Sequence, residues 1–156
     1  MGELDPVLHK YFVKACATDE LPAHPVHRKP QAYVVNTQPI SKPGEHWIAL
    51  STHRTGCEVL DSYGLDLNTY CDAGPLRYWL ETHFNSRMQN PALQSIRAAS
   101  CGHYAIVYLM CKAQGVPTQH FLNAFSCRDY VGNDVKVADM LEEIIRGLLM
   151  ECLFIQ

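Results

Sequence analysis

The segment Leu93-Gln94-Ser95-Ile96-Arg97-Ala98-Ala99-Ser100-Cys101-Gly102-His103-Tyr104 passes from a polar loop into a strongly apolar run. Ser100 is a good N-cap. The spacing therefore predicts a central helix that starts near Ser100 and ends before Gly115-Val116-Pro117, a C-cap glycine followed by proline. A cysteine in the first turn of such a helix faces unpaired backbone N–H groups and the positive end of the helix dipole, and both favour the thiolate. Gly102 removes side-chain bulk beside the sulfur, so a substrate backbone can approach. Gln94, seven residues upstream, carries an amide that bonds a developing oxyanion without titrating and would act with the backbone N–H of Cys101. A cysteine merely buried at a helix start would need neither Gln94 nor Gly102.

Upstream of this segment, Gln31 to Asn36 reads as a buried strand through Ala32-Tyr33-Val34-Val35, and His46 to Thr52 reads as a second. Arg54-Thr55-Gly56 is a hairpin-like connection to a third strand, Cys57 to Ser62. Strands paired across that turn bring their far ends together. His46, in Gly44-Glu45-His46-Trp47, then meets Asp61, in Leu60-Asp61-Ser62-Tyr63-Gly64. The carboxylate would fix the tautomer of the imidazole and stabilise its charged form. A thiol, an imidazole, a carboxylate and an amide are the four groups a cysteine hydrolase uses. Trp47 would wall a narrow substrate channel beside them. A second arrangement stays open, with His120 as the base and Asn123 as its orienting amide, because it gives a Cys-then-His order.

The remaining elements complete the fold class. A helix is expected from Asp5 to Ala15, with Pro6 in its first turn and Leu8, Phe12 and Ala15 on one face. Asp72 is positioned to cap a helix from Ala73 to Asn85, and Thr118 to Phe125 adds a short helical turn. Asp134 would cap a last helix in which Val137, Leu141, Ile144 and Leu148 repeat at helical spacing. Helix, strands, then helices is the order of an α+β fold, with helices packed on a small, largely antiparallel sheet, here in a single domain over residues 1–156.

Composition narrows the function classes. The chain of 156 residues is 47% hydrophobic and 19% charged, the balance of a globular domain with a substantial core. A net charge of −3 argues against a dedicated nucleic-acid binder, and the basic stretch His24-Pro25-Val26-His27-Arg28-Lys29 is short enough to be a solvated loop. No apolar run reaches the roughly 20 residues of a membrane span. The start, Met1-Gly2-Glu3-Leu4-Asp5-Pro6, lacks the basic-then-apolar form of a secretory signal, and Pro6 stands where a myristoylation motif needs Ser or Thr. Seven cysteines without a C-x-x-C pair fit a reducing, intracellular compartment, and their scattering with the histidines argues against a metal site.

The ordered set His46-Trp47, Asp61 in L-D-S-Y-G, then Gln94 and Cys101-Gly102 resembles the adenovirus endopeptidase (adenain) family, and more widely the clan of SUMO-deconjugating proteases. Val35-Asn36-Thr37 a short loop before the His-Trp pair, and the seven-residue offset from Gln94 to Cys101, favour the viral branch. The resemblance spans residues 31–112. It implies a permuted papain-like fold, a small mixed sheet flanked by helices with the nucleophile at the N-terminus of a central helix. It also implies endopeptidase action on Gly-containing sites in viral precursor proteins, by a monomer located in the virion and the host nucleus. The chemistry needs no cofactor, while an activating viral peptide and DNA are implied by the resemblance. Asp61 stands where adenain has Glu, as in the SUMO proteases, and the chain is shorter than adenain. No cysteine adjoins His83, which matches the peptide-bridging position; Cys71 is the thiol between Asp61 and Gln94. Two alternatives stay open: a SUMO- or ubiquitin-like deconjugating protease, and a non-catalytic capsid- or DNA-binding module on the same fold.

Overall fold

In Gln31-Ala32-Tyr33-Val34-Val35-Asn36 and Trp47-Ile48-Ala49-Leu50 the inner positions are apolar on both faces, which suits strands covered on two sides. In the computed structural model, which describes residues 11–54 and 56–154, these runs are β2 (Gln31–Asn36) and β3 (Trp47–Thr52). They pair antiparallel, Tyr33 opposite Leu50 and Asn36 opposite Trp47. β4 (Gly56–Leu60) continues antiparallel from β3, with Ala49 opposite Leu60. β1 (Phe12–Ala17) and β5 (Ser86–Gln89) close the two edges, each parallel to its neighbour, so the order is β1-β2-β3-β4-β5. The sheet is therefore mixed rather than largely antiparallel.

The described residues form four helices: α1 (Gly74–His83), α2 (Cys101–Ala113), α3 (Thr118–Leu122) and α4 (Tyr130–Phe154). Strand alternation sorts the core into two halves. Tyr33, Val35, Ile48, Leu50, Cys57 and Val59 face α1, meeting Leu76, Trp79 and Leu80. Ala32, Val34, Ala49 and Leu60 face α2, meeting Tyr104, Ala105 and Tyr108, with Phe121 of α3 and Val137 of α4 behind them. Small Ala32 and Ala49, both fully buried, let α2 settle close to the middle of the sheet. Each large side chain buried there, such as Ile48 or Leu50, contributes about 1.5–3 kcal/mol. None of the described helices is long and apolar enough to cross a membrane.

Several expectations are corrected. Phe12–Ala15 is strand, not helix, because its backbone pairs with β2, Phe12 against Ala32 and Ala17 against Asn36; residues 5–10 of that expected helix lie outside the described residues. The proposed apolar face is absent there, since Phe12 and Ala15 are exposed. α1 stops at His83 because Phe84 turns to an extended conformation and buries its ring, and the chain then enters β5, an edge strand too polar to announce itself. Asp72 does not cap α1: it pairs with Lys42 Nζ at 2.7 Å, while the N–H of Leu76 donates to Thr18 Oγ1 at 3.1 Å. Asp134 does not cap α4 either. Asp129 takes that place, its Oδ1 accepting from the N–H of Gly132 at 2.8 Å, and Asp134 lies inside the helix.

Candidate active site

Cys101 opens α2 as expected, half-buried, behind Ser100 at the N-cap position, although the Ser100 hydroxyl makes no capping bond to the helix. The His46 ring and the backbone N–H groups of Trp47 and Gly102 lie close enough to its sulfur to favour the thiolate. A Cβ added at Gly102 would meet nothing within 4 Å, so the space beside the sulfur is open.

His46 stands one residue before β3, 2% exposed. Its approach is fixed from Asn36 at the end of β2. Asn36 Oδ1 accepts from the N–H of Gln38 at 2.9 Å and of Glu45 at 3.2 Å, and the N–H of Thr37 donates to the His46 carbonyl at 2.9 Å. Gly44, at φ +92°, completes this loop; a Cβ there would lie 2.8 Å from Asn36 Nδ2. The ring is held between two tyrosines, Tyr63 with centroids 4.7 Å apart and Tyr70 at 5.4 Å, both stacked. Its Nε2 meets Asp61 Oδ1 at 2.8 Å. Nδ1 is therefore the nitrogen left for the sulfur of Cys101.

Asp61 is fully buried just past β4. Three donors satisfy its carboxylate: His46 Nε2 and the N–H of Tyr63, each 2.8 Å from Oδ1, and the Tyr70 hydroxyl, 2.7 Å from Oδ2. Asn90 clamps its backbone, accepting from the Asp61 N–H at 2.9 Å and donating to the Asp61 carbonyl at 2.7 Å. Gly64, at φ +65°, makes the turn that follows; a Cβ would sit 2.3 Å from the N of Ala92. Tyr70 is carried by a 3-10 turn, Leu67–Thr69, capped by Asp66 and held by Arg77 of α1, which donates to the carbonyls of Leu67 and Tyr70. Sequence reasoning missed Tyr63, Tyr70 and Asn90. The two tyrosines stood unassigned in turns beside Asp61, and nothing local announces Asn90.

The electrostatics couple the pair. Burial, the largest single influence on His46, opposes its charge, yet the bonds to Asp61 and Cys101 and their charges outweigh it and raise its pKa to about 9. Burial likewise opposes the Cys101 thiolate, and the His46 bond, the Trp47 N–H, the imidazolium charge and the Gly102 N–H together bring the thiol below its ordinary range. Both shifts favour a thiolate–imidazolium pair. The Tyr70 hydroxyl is pushed far up, first by burial and then by the bond to Asp61, so it serves as a donor.

Gln94 is buried beside this cluster. Its Oε1 accepts from Ser62 Oγ at 2.5 Å, and its Nε2 donates to the Ala98 carbonyl at 2.5 Å and, more weakly, to the Tyr63 hydroxyl at 3.3 Å. The Ala98 carbonyl can only accept, so the amide orientation is determined. Trp47, 36% exposed, lines a hollow of about 230 Å³ with Cys16, Asn36 and Gly44. A second hollow of about 500 Å³ is lined by Tyr63, Gln94, Ile96, Tyr130 and Val131. His120 and Asn123 take no part: His120 is exposed on α3, and Asn123 accepts from Gln119 at 2.8 Å. Among the described residues no three His, Cys, Asp or Glu side chains gather as a metal site.

No protein-family model matches the chain, and no curated protein matches it. Among solved structures it is similar to the crystal structure of the selenomethionine form of the ASFV pS273R protease, at 22% identity and a TM-score of 0.49. The alignment covers 76% of this chain and 45% of that one, so the chain spans less than half the length of that protein. At that similarity no residue role is carried over.

Proposed function

We propose that the chain is a cysteine peptidase with Cys101 as nucleophile, His46 as acid and base, Asp61 as the group orienting His46, and Gln94 as oxyanion donor. The observation that carries this reading is the 2.8 Å bond of buried Asp61 Oδ1 to His46 Nε2, with the same ring close enough to the Cys101 sulfur to shift both groups toward the ion pair. A buried structural histidine has no use for a half-exposed thiol on its second nitrogen.

The Cys101 thiolate attacks a peptide carbonyl carbon, forming a C–S bond and an oxyanion. The backbone N–H of Cys101 and one Gln94 amide hydrogen, the one now spent on the long bond to Tyr63, stabilise that charge. His46 gives its proton to the leaving amine as the C–N bond breaks. It then takes a proton from the water that hydrolyses the thioester and frees Cys101. The open space at Gly102 lets a peptide backbone approach the sulfur, and the substrates are the Gly-containing precursor sites implied by the motif resemblance to the adenovirus endopeptidase.

The test compares wild type with Cys101→Ala on a Gly-Gly-containing peptide and a ubiquitin-like C-terminal probe, together with limiting iodoacetamide. Cleavage by wild type alone, with Cys101 labelled ahead of the other thiols, is the expected result. Equal labelling of exposed Cys71 and Cys127 would instead point to a binding module. Turnover by Cys101→Ala would end the reading.

A further inference from the structure

We infer that Asp134, aided by its neighbour Asn133, is a positioning residue that holds the Gln94 amide in register with the Cys101 sulfur; this rests on the peptidase reading of those two residues. Asp134 lies inside α4 and reaches two separate segments of the site. Its Oδ1 accepts from Ser100 Oγ at 2.8 Å and from the Tyr104 hydroxyl at 3.1 Å, while its Oδ2 accepts from the N–H of Ser95 at 3.2 Å. Ser100 immediately precedes Cys101, and Ser95 immediately follows Gln94. One carboxylate thus joins the start of the nucleophile helix to the loop that carries the amide.

Asn133 holds the other side of the same loop. Its Nδ2 donates to the Leu93 carbonyl at 2.9 Å and to the Ser126 carbonyl at 2.8 Å, and its Oδ1 accepts from the N–H of Ser126 at 2.8 Å. Residues 93 and 95, which flank Gln94, are therefore gripped by consecutive residues of α4. The opposite wall is Ser62, next to Asp61. Its carbonyl accepts from the N–H groups of Leu93 and Gln94, both at 2.8 Å, and its hydroxyl holds the Gln94 Oε1. The loop is pinned between the acid's own turn and α4.

The carboxylate at position 134 serves both segments at once. Three donors converge there on two oxygens, and a carboxylate accepts at both. An amide of the same shape offers one accepting oxygen and one donating nitrogen. With its oxygen toward the Ser95 N–H and its nitrogen toward the Ser100 hydroxyl, which accepts as well as donates, it keeps both sides, so the link between amide and sulfur is severed only by removing the polar group. Thiolate formation does not use this link, because the sulfur is served by His46, Trp47 and Gly102.

The experiment is Asp134→Ala in the full chain, read by peptide cleavage and by Cys101 alkylation. The expected result is a fall in kcat of about 10- to 100-fold, below the full loss of an oxyanion donor, with KM changed less than about twofold. The alkylation rate of Cys101 and its pH profile should stay within about twofold of wild type, because alkylation needs the ion pair and no oxyanion donor. Ser100→Ala, which removes one of the three donors, should show the same kcat-only signature at smaller size. Wild-type kcat in both variants overturns the inference, as does a parallel loss of cleavage and alkylation accompanied by a lowered Tm, which would mark a purely structural role. Absence of selective Cys101 alkylation in wild type would instead remove the peptidase reading beneath it.

Discussion

Glu58, within β4, and Asp61, just past its end, each meet a cation-forming side chain from another element: Lys112 at 2.6 Å for Glu58 and His46 at 2.8 Å for Asp61. Around Glu58 the circuit is closed. Lys112, in the last turn of α2, takes Oε2, and Thr118 Oγ1 donates to Oε1 at 2.8 Å, with Tyr108 and Lys112 both bonded to the same Thr118. A lysine there also complements the negative end of the helix dipole. The pair ties the far end of α2 to the sheet and offers nothing to a ligand. Around Asp61 the circuit stays open, because His46 has a second nitrogen and it ends on a half-exposed sulfur at the near end of the same helix. One ion pair anchors α2, and the other is the pair proposed to act. The difference is the availability of a further proton acceptor, not burial or distance.

That contrast can be broken in order of expected effect. His46→Ala should lower peptide cleavage about 10³-fold, the range of a positioned acid–base group, while Asp61→Asn, which leaves the imidazole in place, should cost about 10²-fold; steady-state kinetics decide it. Equal, small losses in both would place His46 alongside Lys112 as an anchor.

A smaller effect follows from pH. His46 holds its proton up to about 9, above the ordinary histidine value, and the thiol loses its proton below the ordinary cysteine range. In the proposed mechanism, cleavage needs the imidazolium to protonate the leaving amine. It should therefore hold a plateau and fall about tenfold per unit as pH rises beyond about 9, while alkylation of the thiolate persists there. The same sign applies to stability: a raised histidine pKa stabilises the fold below the unfolded value and loses that contribution as pH rises through about 9. A cleavage limb near the ordinary histidine value would show that the ion pair does not form.

The smallest effect on turnover belongs to the closed circuit. Lys112→Met leaves Glu58 unpaired and should cost about 3 kcal/mol of stability by denaturant titration. Turnover per folded molecule should change by less than about twofold. A large loss of kcat in that variant would mean that the two ends of α2 are not independent.

Much of the site was legible before folding. His46 stands just before a strand, Asp61 just past one and Cys101 at a helix start, and a hairpin between the strands is enough to bring the first two together. Their supporting shell was not legible. Asn90 serves Asp61 from the far side of β5, Tyr70 reaches it from a 3-10 turn held by Arg77, and Asp134 grips the Gln94 loop from the last helix. None of these has a sequence signal, because each depends on how separate loops pack. The edge strands failed for a related reason: β1 carries apolar spacing that a helix shares, and β5 is polar.

What the chain determined by itself is local: alternation in the inner strands, the N-cap and small residues around Cys101, and the order of thiol, imidazole and carboxylate. These depend on near neighbours, so they survive without knowledge of the fold. Only the tertiary structure decided that Phe12–Ala17 is a strand, that His46 turns Nε2 to Asp61, and that Asp134 bonds Ser100 instead of capping its own helix. The physical reason is that a parallel edge strand, a ring orientation and a shared carboxylate all draw their partners from distant parts of the chain, where no local pattern reaches.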